Sequence, residues 1–496
     1  MAKALVIGTG FGGIATALRL ASNGHEVTVI EKLSSPGGRA QVFERDGFKH
    51  DAGPTVITAP FLFDELFSLF GKKRENYVEF KPLNPWYRFV YPDATHFDYG
   101  GSVEDTLNQI KKFNPADCEG YEKLLQKSQE IYKTGFEELA SVPFHKISKL
   151  LYQLPKLMSL RGDQTVWQLV TKHLKNPKLQ QAFSIQPLLV GGSPFDTTSI
   201  YGLIHYLERK HGIFFAMGGT GKLVEALVQL ASDVGVTFKF DQPVKRLVVN
   251  EGFVKSAETE KKEFFEADYF VFNGDPLYMY HNLIDEKAVP KLTRLKRDKF
   301  KLSMGLYVLF FGTSITYEDV AHHTILMGET YKELLDDIFH QKKLSKDLAL
   351  YLHRPTATDK SFAPPGKDSF YVLCPVPNKQ SNIDWKIEEP RLRTKVIAAL
   401  EKHLLPDLTK NIESDFAMTP DNFEEDYYSH MGAGFSIAPL FTQSAWFRFH
   451  NKAEGLKNLF LTGAGTHPGA GLPGVVSSAK VVETLIEEAE QKEVSG

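Results

Sequence analysis

The apolar pattern changes period twice within the first stretch of the chain. Ala4, Leu5, Val6 and Ile7 form an unbroken apolar run that predicts a buried strand over 3–8. Ile14, Ala17, Leu18 and Ala21 then recur at i, i+3, i+4 and i+7, and the pattern stops at Gly24, as on a helix face closed by a glycine. A second apolar run over 26–31 predicts another strand. Strand, glycine turn, helix and strand in such a short span make a βαβ unit with parallel strands and a right-handed crossover. From about 60 to 210 the period is helical, with Phe-rich amphipathic segments at 61–70, 121–139, 145–158 and 165–174. A helix over 222–234 precedes strand-like runs at 236–240, 244–249, 253–259 and 264–273. Residues 300–440 mix strands (303–311, 370–373) with charged helices (329–340, 388–403), and the chain closes with a strand over 459–462, a glycine-rich turn and a helix. No repeat or low-complexity tract occurs, so the domains are expected to interleave along the sequence.

Composition narrows the class. At 496 residues the chain has room for roughly three structural units, and 42% hydrophobic with 24% charged residues is the balance of a soluble globular protein. Lys and Arg number 58 against 61 Asp and Glu, a net charge of −3, so no basic field for nucleic acid is expected. Cys118 and Cys374 lie far apart and outside any CxxC pattern, which excludes a disulfide framework or a cysteine zinc cluster and points to a reducing compartment. No run approaches the ~18 apolar residues of a membrane span, and the run at 4–7 is too short for a signal-peptide core. Any membrane contact is therefore expected to be peripheral.

Gly8, Gly10 and Gly13 fit GxGxxG between the first strand and the first helix, with Phe11 and Gly12 inside the motif. In that context one glycine allows the turn, one lets the backbone approach a pyrophosphate, and one lets helix pack on strand, while the helix N-terminus faces the anion. Glu31 ends the second strand, where a carboxylate accepts from adenosine ribose hydroxyls. A second run, Gly37-Gly38-Arg39 followed by Gly53-Pro54-Thr55, resembles the flavin motif of glutathione-reductase-like and amine-oxidase-like flavoproteins. The resemblance implies Gly38 and Arg39 at the pyrophosphate and Gly53, Pro54 and Thr55 at the flavin, and an arginine fork suits phosphate. Lys32 and His50 read equally well as cofactor contacts or as ordinary surface and core residues.

The segment 458–478 runs Asn-Leu-Phe-Leu-Thr-Gly-Ala-Gly-Thr-His-Pro-Gly-Ala-Gly-Leu-Pro-Gly-Val-Val-Ser-Ser. It resembles, residue by residue, the signature of bacterial-type phytoene dehydrogenases, the carotenoid desaturases. The likeness extends through Gly191-Gly192-Ser193-Pro194, Gly218-Gly219-Thr220-Gly221, Ala321-His322-His323-Thr324 and Gln443-Ser444-Ala445-Trp446-Phe447-Arg448, and so covers nearly the whole chain. It implies that Gly463, Ala464, Gly465, Gly474 and Val475 turn their backbone toward the flavin, with the closing helix beginning near Gly474. Val244 matches the position that holds adenine, and Asn273-Gly274-Asp275 matches a flavin-domain turn. His467, within that loop, is a candidate base or a structural and flavin contact. Arg161 and Glu208 fall in the helical block near the implied tunnel; arginine is a poor base, so Arg161 suits orientation of a substrate end or a quinone.

A carotenoid has no ionisable group, so binding is expected in a long apolar tunnel, with 201–207 and 213–215 as candidate walls. His322 and His323, adjacent on a strand, would face opposite ways and not share a metal, so no metal site is expected. Residues 144–158 carry apolar residues on one face among lysines, the pattern of a basic interfacial helix or of a core-facing one. The fold expected is α/β and α+β. It combines a Rossmann-like, glutathione-reductase-like FAD-binding domain (1–75, 215–290, 445–496), an interleaved substrate domain of mixed sheet (76–120, 291–444) and a helical membrane-facing block (121–214). The activity implied is carotenoid desaturation on non-covalent FAD, of phytoene type or at the 3,4-bond of a γ-carotene or 1-hydroxycarotenoid. Quinone or oxygen would be the acceptor, in a cytoplasmic protein bound peripherally to the inner face of the membrane, with the oligomeric state open. The alternatives are a redox-neutral carotenoid isomerase and a non-catalytic lipid-binding protein of the same fold. Amine oxidation fits less well, because the cysteine that usually joins that family's flavin is absent from 458–478.

Overall fold

The computed structural model describes residues 2–144 and 160–495. The first layer is a parallel sheet that, among the described residues, has five strands in the order Leu459–Leu461, Tyr269–Phe272, Lys3–Ile7, Glu26–Ile30 and Thr237–Lys239. Its central strands are continuous apolar runs because both faces are covered. Ala4, Val6, Val27, Val29 and Val271 pack under the helices Phe11–Ser22, Gly219–Asp233 and Leu472–Ser495. Leu5, Ile7, Ile30, Phe270 and Phe272 face a second core beneath the antiparallel sheet Val244–Asn250, Phe253–Thr259 and Phe264–Glu266.

The run predicted as one strand over 264–273 is two strands in two sheets. The chain turns at Asp268, whose carboxylate accepts from Lys3 N at 2.7 Å. Its carbonyl accepts from Asn458 Nδ2 at 3.0 Å. Apolar character on both sides of this corner hides it from a periodicity reading.

The other large sheet, seven-stranded among the described residues, runs Ile412–Met418, Gly305–Thr313, Asp368–Val376, Leu350–His353, His323–Leu326, Tyr87–Val90, His96–Tyr99. Its pairs are antiparallel except His323–Leu326 with Tyr87–Val90. Gly305–Thr313 is buried throughout. Leu309, Phe311 and Val372 meet the helix Trp385–His403 on one side, while Leu306, Val308 and Phe310 face a core shared with the helical region on the other. Of these strands the sequence pattern predicts only two, because the rest are short or interrupted by polar residues. The helix expected over 329–340 is shorter, Tyr331–Asp336, continued by a wider turn to Gln341.

The helical region contains Val103–Phe113, Asp117–Tyr132, Val166–His173, Pro177–Phe183 and Leu203–His211. Ser102 with Asp105 and Thr165 with Gln168 form reciprocal caps, and Asn176 caps a helix that opens on Pro177. The helix expected over 145–158 lies outside the described residues. No helix among the described residues is long and apolar enough to cross a membrane.

Candidate functional site

The strand Lys3–Ile7 ends at Gly8, and the next helix starts with Gly10 at its N-cap, with no side chain capping it. The first-turn N–H groups are thus left for an anion. Gly13 is required by close approach, because a Cβ there would stand 2.1 Å from Gly8 O, and a Cβ on Gly10 would displace the Asn273 side chain, whose Oδ1 would be 2.7 Å away. Glu31, 7% exposed, accepts from Thr9 N at 2.8 Å, Thr9 Oγ1 at 2.6 Å and Leu33 N at 2.9 Å, which fixes its carboxylate beside the turn.

This turn forms one end of a cavity of about 540 Å³, within the range of small-molecule sites. Every residue expected to hold the cofactor lines it except Gly12 and Gly13, which pack the helix against the sheet. Of the two residues read either way, Lys32 lines it and His50 does not, its ring packing on Phe310 and Phe416 in the core. Arg39 reaches in from the short turn Gly38–Ala40 that follows the strand Glu26–Ile30, its Nη1 donating to Gly434 O. Burial lowers its pKa and the nearby Asp275 opposes that shift. Asp275 itself is raised by burial, although it accepts from Leu277 N, His430 N and Ser436 Oγ. A deep cation exposed to a cavity with a single carbonyl partner fits an anionic ligand, so the donor set suits a dinucleotide diphosphate. Lys32 is otherwise engaged: its Nζ lies 3.8 Å from the centre of the Tyr428 ring and donates to Glu425 O and Asp426 O. It ties the end of its strand to the segment 425–428.

The C-terminal loop closes the cavity. Ser478 Oγ accepts from Gly463 N at 2.9 Å and lies 2.6 Å from Thr462 Oγ1. The helix begins at Leu472, two residues earlier than expected. Arg448, 1% exposed, donates to the carbonyls of Thr466, Ala464, Gln443 and Ile437, and so pins the loop from behind. The sequence patterns do not mark Arg448; its one signal is a lone cation inside the run Ala445-Trp446-Phe447-Arg448-Phe449.

Beyond the cradle the same cavity is apolar, walled by Leu139, Phe144, Leu160, Ile185, Leu207 and Leu306 among others. Tyr201, Leu203, Ile204 and Leu207 line it as expected, but residues 213–215 do not, because Phe215 packs on His322 and Phe362. Glu208 is the fully buried acid of this wall. Its Oε1 accepts from Tyr87 OH at 3.1 Å and its Oε2 has no partner. Burial raises its pKa to about 8. His467 also lines the cavity; burial lowers it to about 4, and its Nε2 is 3.1 Å from Leu139 O, so the neutral ring bridges the loop to the helical region. Arg161 lies elsewhere: it is exposed, bonded to Asp163, and absent from the cavity wall.

The histidine pair departs from expectation. The strand starts at His323, so His322 escapes its alternation, and the two rings have centroids 4.6 Å apart. His353 joins them, and burial holds all three neutral.

The family model of flavin containing amine oxidoreductases matches residues 11–482, and the fold is that of FAD-dependent oxidoreductases. Cyclohexylamine oxidase from Brevibacterium oxydans superposes with a TM-score of 0.63 at 15% identity over 99% of each chain. The lycopene-forming phytoene desaturase of Pseudescherichia vulneris is 42% identical over 98% of this chain and 99% of its own. The neurosporene-forming phytoene desaturase of Cereibacter sphaeroides is 39% identical over 98% of this chain and 95% of its own. The chain belongs to the bacterial-type phytoene desaturases within the flavin containing amine oxidoreductase family.

Proposed function

We propose that the protein is an FAD-dependent carotenoid desaturase that introduces C=C bonds into a phytoene-type or hydroxylated carotenoid. The observation that carries this reading is one continuous cavity, with a glycine-lined cradle holding Arg39 at one end and an apolar extension at the other. We read the parallel sheet as Rossmann-like, with 1–75, 215–290 and 445–496 as the cofactor domain, 76–120 and 291–444 as the substrate domain, and 121–214 as the membrane-facing block. In this reading the N–H groups following Gly10 and the Arg39 guanidinium hold the diphosphate, Glu31 the ribose, the backbone of Val244 the adenine, and Asn273–Asp275 with 463–465 and 474–475 the flavin. When bound, FAD supplies the hydride acceptor.

The chain supplies dryness, orientation and a proton site. Apolar side chains exclude water and grip a substrate without polar handles. Loss of hydride leaves an allylic cation, and Glu208 would take the neighbouring proton. With a pKa of about 8 its carboxylate is the minor form at neutral pH, yet a stronger base than an exposed one. Tyr87 OH keeps that carboxyl facing the wall. We assign His467 the positioning of the loop, and Arg161, whose side chain is turned to solvent and paired with Asp163, no part in it.

The substrate would enter from lipid. Phe441 and Phe447 are exposed and flank Ser444 and Ala445, which line the cavity. The adjoining helix Lys291–Lys299 presents Leu292 and Leu295 among basic residues, and its Lys296 Nζ donates to Arg448 O at 2.6 Å. Such a surface suits peripheral contact with an anionic leaflet from the cytoplasmic side, with membrane quinone or oxygen as the acceptor. The interfacial helix expected over 144–158 lies, apart from Phe144, outside the described residues. Incubation with liposomes carrying phytoene, γ-carotene or a 1-hydroxycarotenoid tests the activity. Products lighter by pairs of hydrogens support desaturation, whereas isomers of unchanged mass would favour the redox-neutral reading.

A further inference from the structure

Three imidazoles converge behind the cavity wall, on residues that none of the roles above uses. His323 opens the strand His323–Leu326 and stands opposite His353, the last residue of Leu350–His353, in antiparallel register. The His322 ring centroid lies 4.6 Å from that of His323 and 4.8 Å from that of His353. All three residues are buried, and one ring nitrogen from each lies within 4.8 Å of the others. Phe215 and Tyr371 close over the rings and keep the place dry.

The hydrogen bonding around this cluster is lopsided. His322 Nδ1 is 2.7 Å from Thr358 Oγ1, and His323 Nδ1 is 2.8 Å from Tyr351 OH. Protons on those Nδ1 atoms leave the Nε2 lone pairs free. Nε2 of His322, His323 and His353 all lack a hydrogen-bond partner. Asp51 adds a fourth open atom. Its Oδ1 accepts from Thr220 N and Oγ1, while its Oδ2 has only a long contact of 3.5 Å with His353 Nε2. Buried polar atoms are ordinarily satisfied, so several orphans together ask for a common partner.

We propose that His322, His323 and His353 form a site for a divalent first-row transition metal, Zn²⁺ in preference, with Asp51, whose Oδ2 lies 3.5 Å from His353 Nε2, drawn in as fourth ligand on binding. Imidazole and carboxylate donors suit that ion, and four protein ligands make a structural rather than an open catalytic site. Thr358 and Tyr351 play the outer-shell part that fixes the tautomer of a ligating histidine. Ligands about 2.0–2.1 Å from one ion sit closer together than these atoms do, so binding draws the rings inward. Asp51 ends the strand Phe48–Asp51, just before Gly53-Pro54-Thr55. The ion would therefore staple the seven-stranded sheet to the hairpin that leads to the cavity.

The test uses the full-length protein, stripped with a chelator and titrated with Zn²⁺. Bound metal is counted by elemental mass spectrometry, and Co²⁺ substitution is followed by its visible ligand-field absorption. The expected result is one ion per chain, a higher thermal midpoint, and at least a tenfold loss of affinity in His353→Ala, with the exposed His340→Ala unchanged. Thr358→Val keeps all four ligands and is expected to weaken binding by about 10–100-fold, which decides the matter should His353→Ala not fold. No retained metal in the wild type, or equal affinity in the wild type and Thr358→Val, would overturn the site.

Discussion

Replacing Glu208 with Gln removes a proton site whose effect on stability can be worked from its surroundings. The carboxyl is buried on the helix Leu203–His211, with Tyr87 OH as a partner and Oε2 unbonded. Its neighbour Arg209 points away, to Gly101 O, Thr106 Oγ1 and Tyr121 OH. Burial raises the pKa from 4.5 to about 8. The difference of ~3.5 units at ~1.36 kcal/mol per unit is of order 5 kcal/mol. The unfolded chain gives up this proton near its ordinary value, whereas the folded protein keeps it to about pH 8. Stability from this group is therefore full below the ordinary pKa and is lost as pH rises through the folded one. Glutamine keeps the shape and a partner for Tyr87 but cannot ionise. Urea unfolding of both proteins from about pH 5 to about pH 9 should show the variant gaining on the wild type, with the gap levelling above about pH 8. A gap that does not change with pH would refute the neutral buried carboxyl, and with it the assignment of Glu208 as proton acceptor.

Gly10→Val places a side chain whose first carbon stands 2.7 Å from Asn273 Oδ1, so purified variant should lack flavin absorbance; wild-type occupancy would contradict the cradle. Arg448→Met strips four carbonyls of their donor and should cost about 3 kcal/mol in urea unfolding, with reduced FAD content; an unchanged midpoint would show that the loop holds without it. Asp368→Asn breaks the buried pair with Arg354, whose Nε lies 2.9 Å from Asp368 Oδ2, and should cost ~3–5 kcal/mol; a neutral outcome would mean that the pair is dispensable. Phe441→Ser with Phe447→Ser should reduce sedimentation with anionic liposomes while FAD content stays constant, and undiminished sedimentation would exclude this surface.

Local pattern carried the first unit well. The helix Phe11–Ser22 and its two flanking strands stand where the 3.6-residue spacing and the apolar runs predict them, because each reports burial directly. The glycine motifs are legible because close backbone approach at Gly13 and left-handed backbone at Gly8, Gly38 and Gly53 exclude other residues. Long-range geometry was not. Whether 264–273 is one strand or two depends on a corner at Asp268 made by Lys3 and Asn458, which no window of sequence contains. Arg161 and Glu208 both looked like charges in a helical block, and only tertiary packing sends one into solvent and the other into the cavity wall. The three histidines are the clearest case. His353 lies 30 positions from His323 and meets it through strand register, while His322 turns toward both because the strand begins one residue later.

The central claim is that one cavity joins carotenoid to flavin, and anaerobic addition of carotenoid-loaded liposomes to the flavin-bound protein tests it most directly. The account predicts bleaching of the oxidised-flavin absorption in step with the appearance of a carotenoid lighter by two hydrogens. Oxidised flavin that persists beside unchanged carotenoid would contradict it.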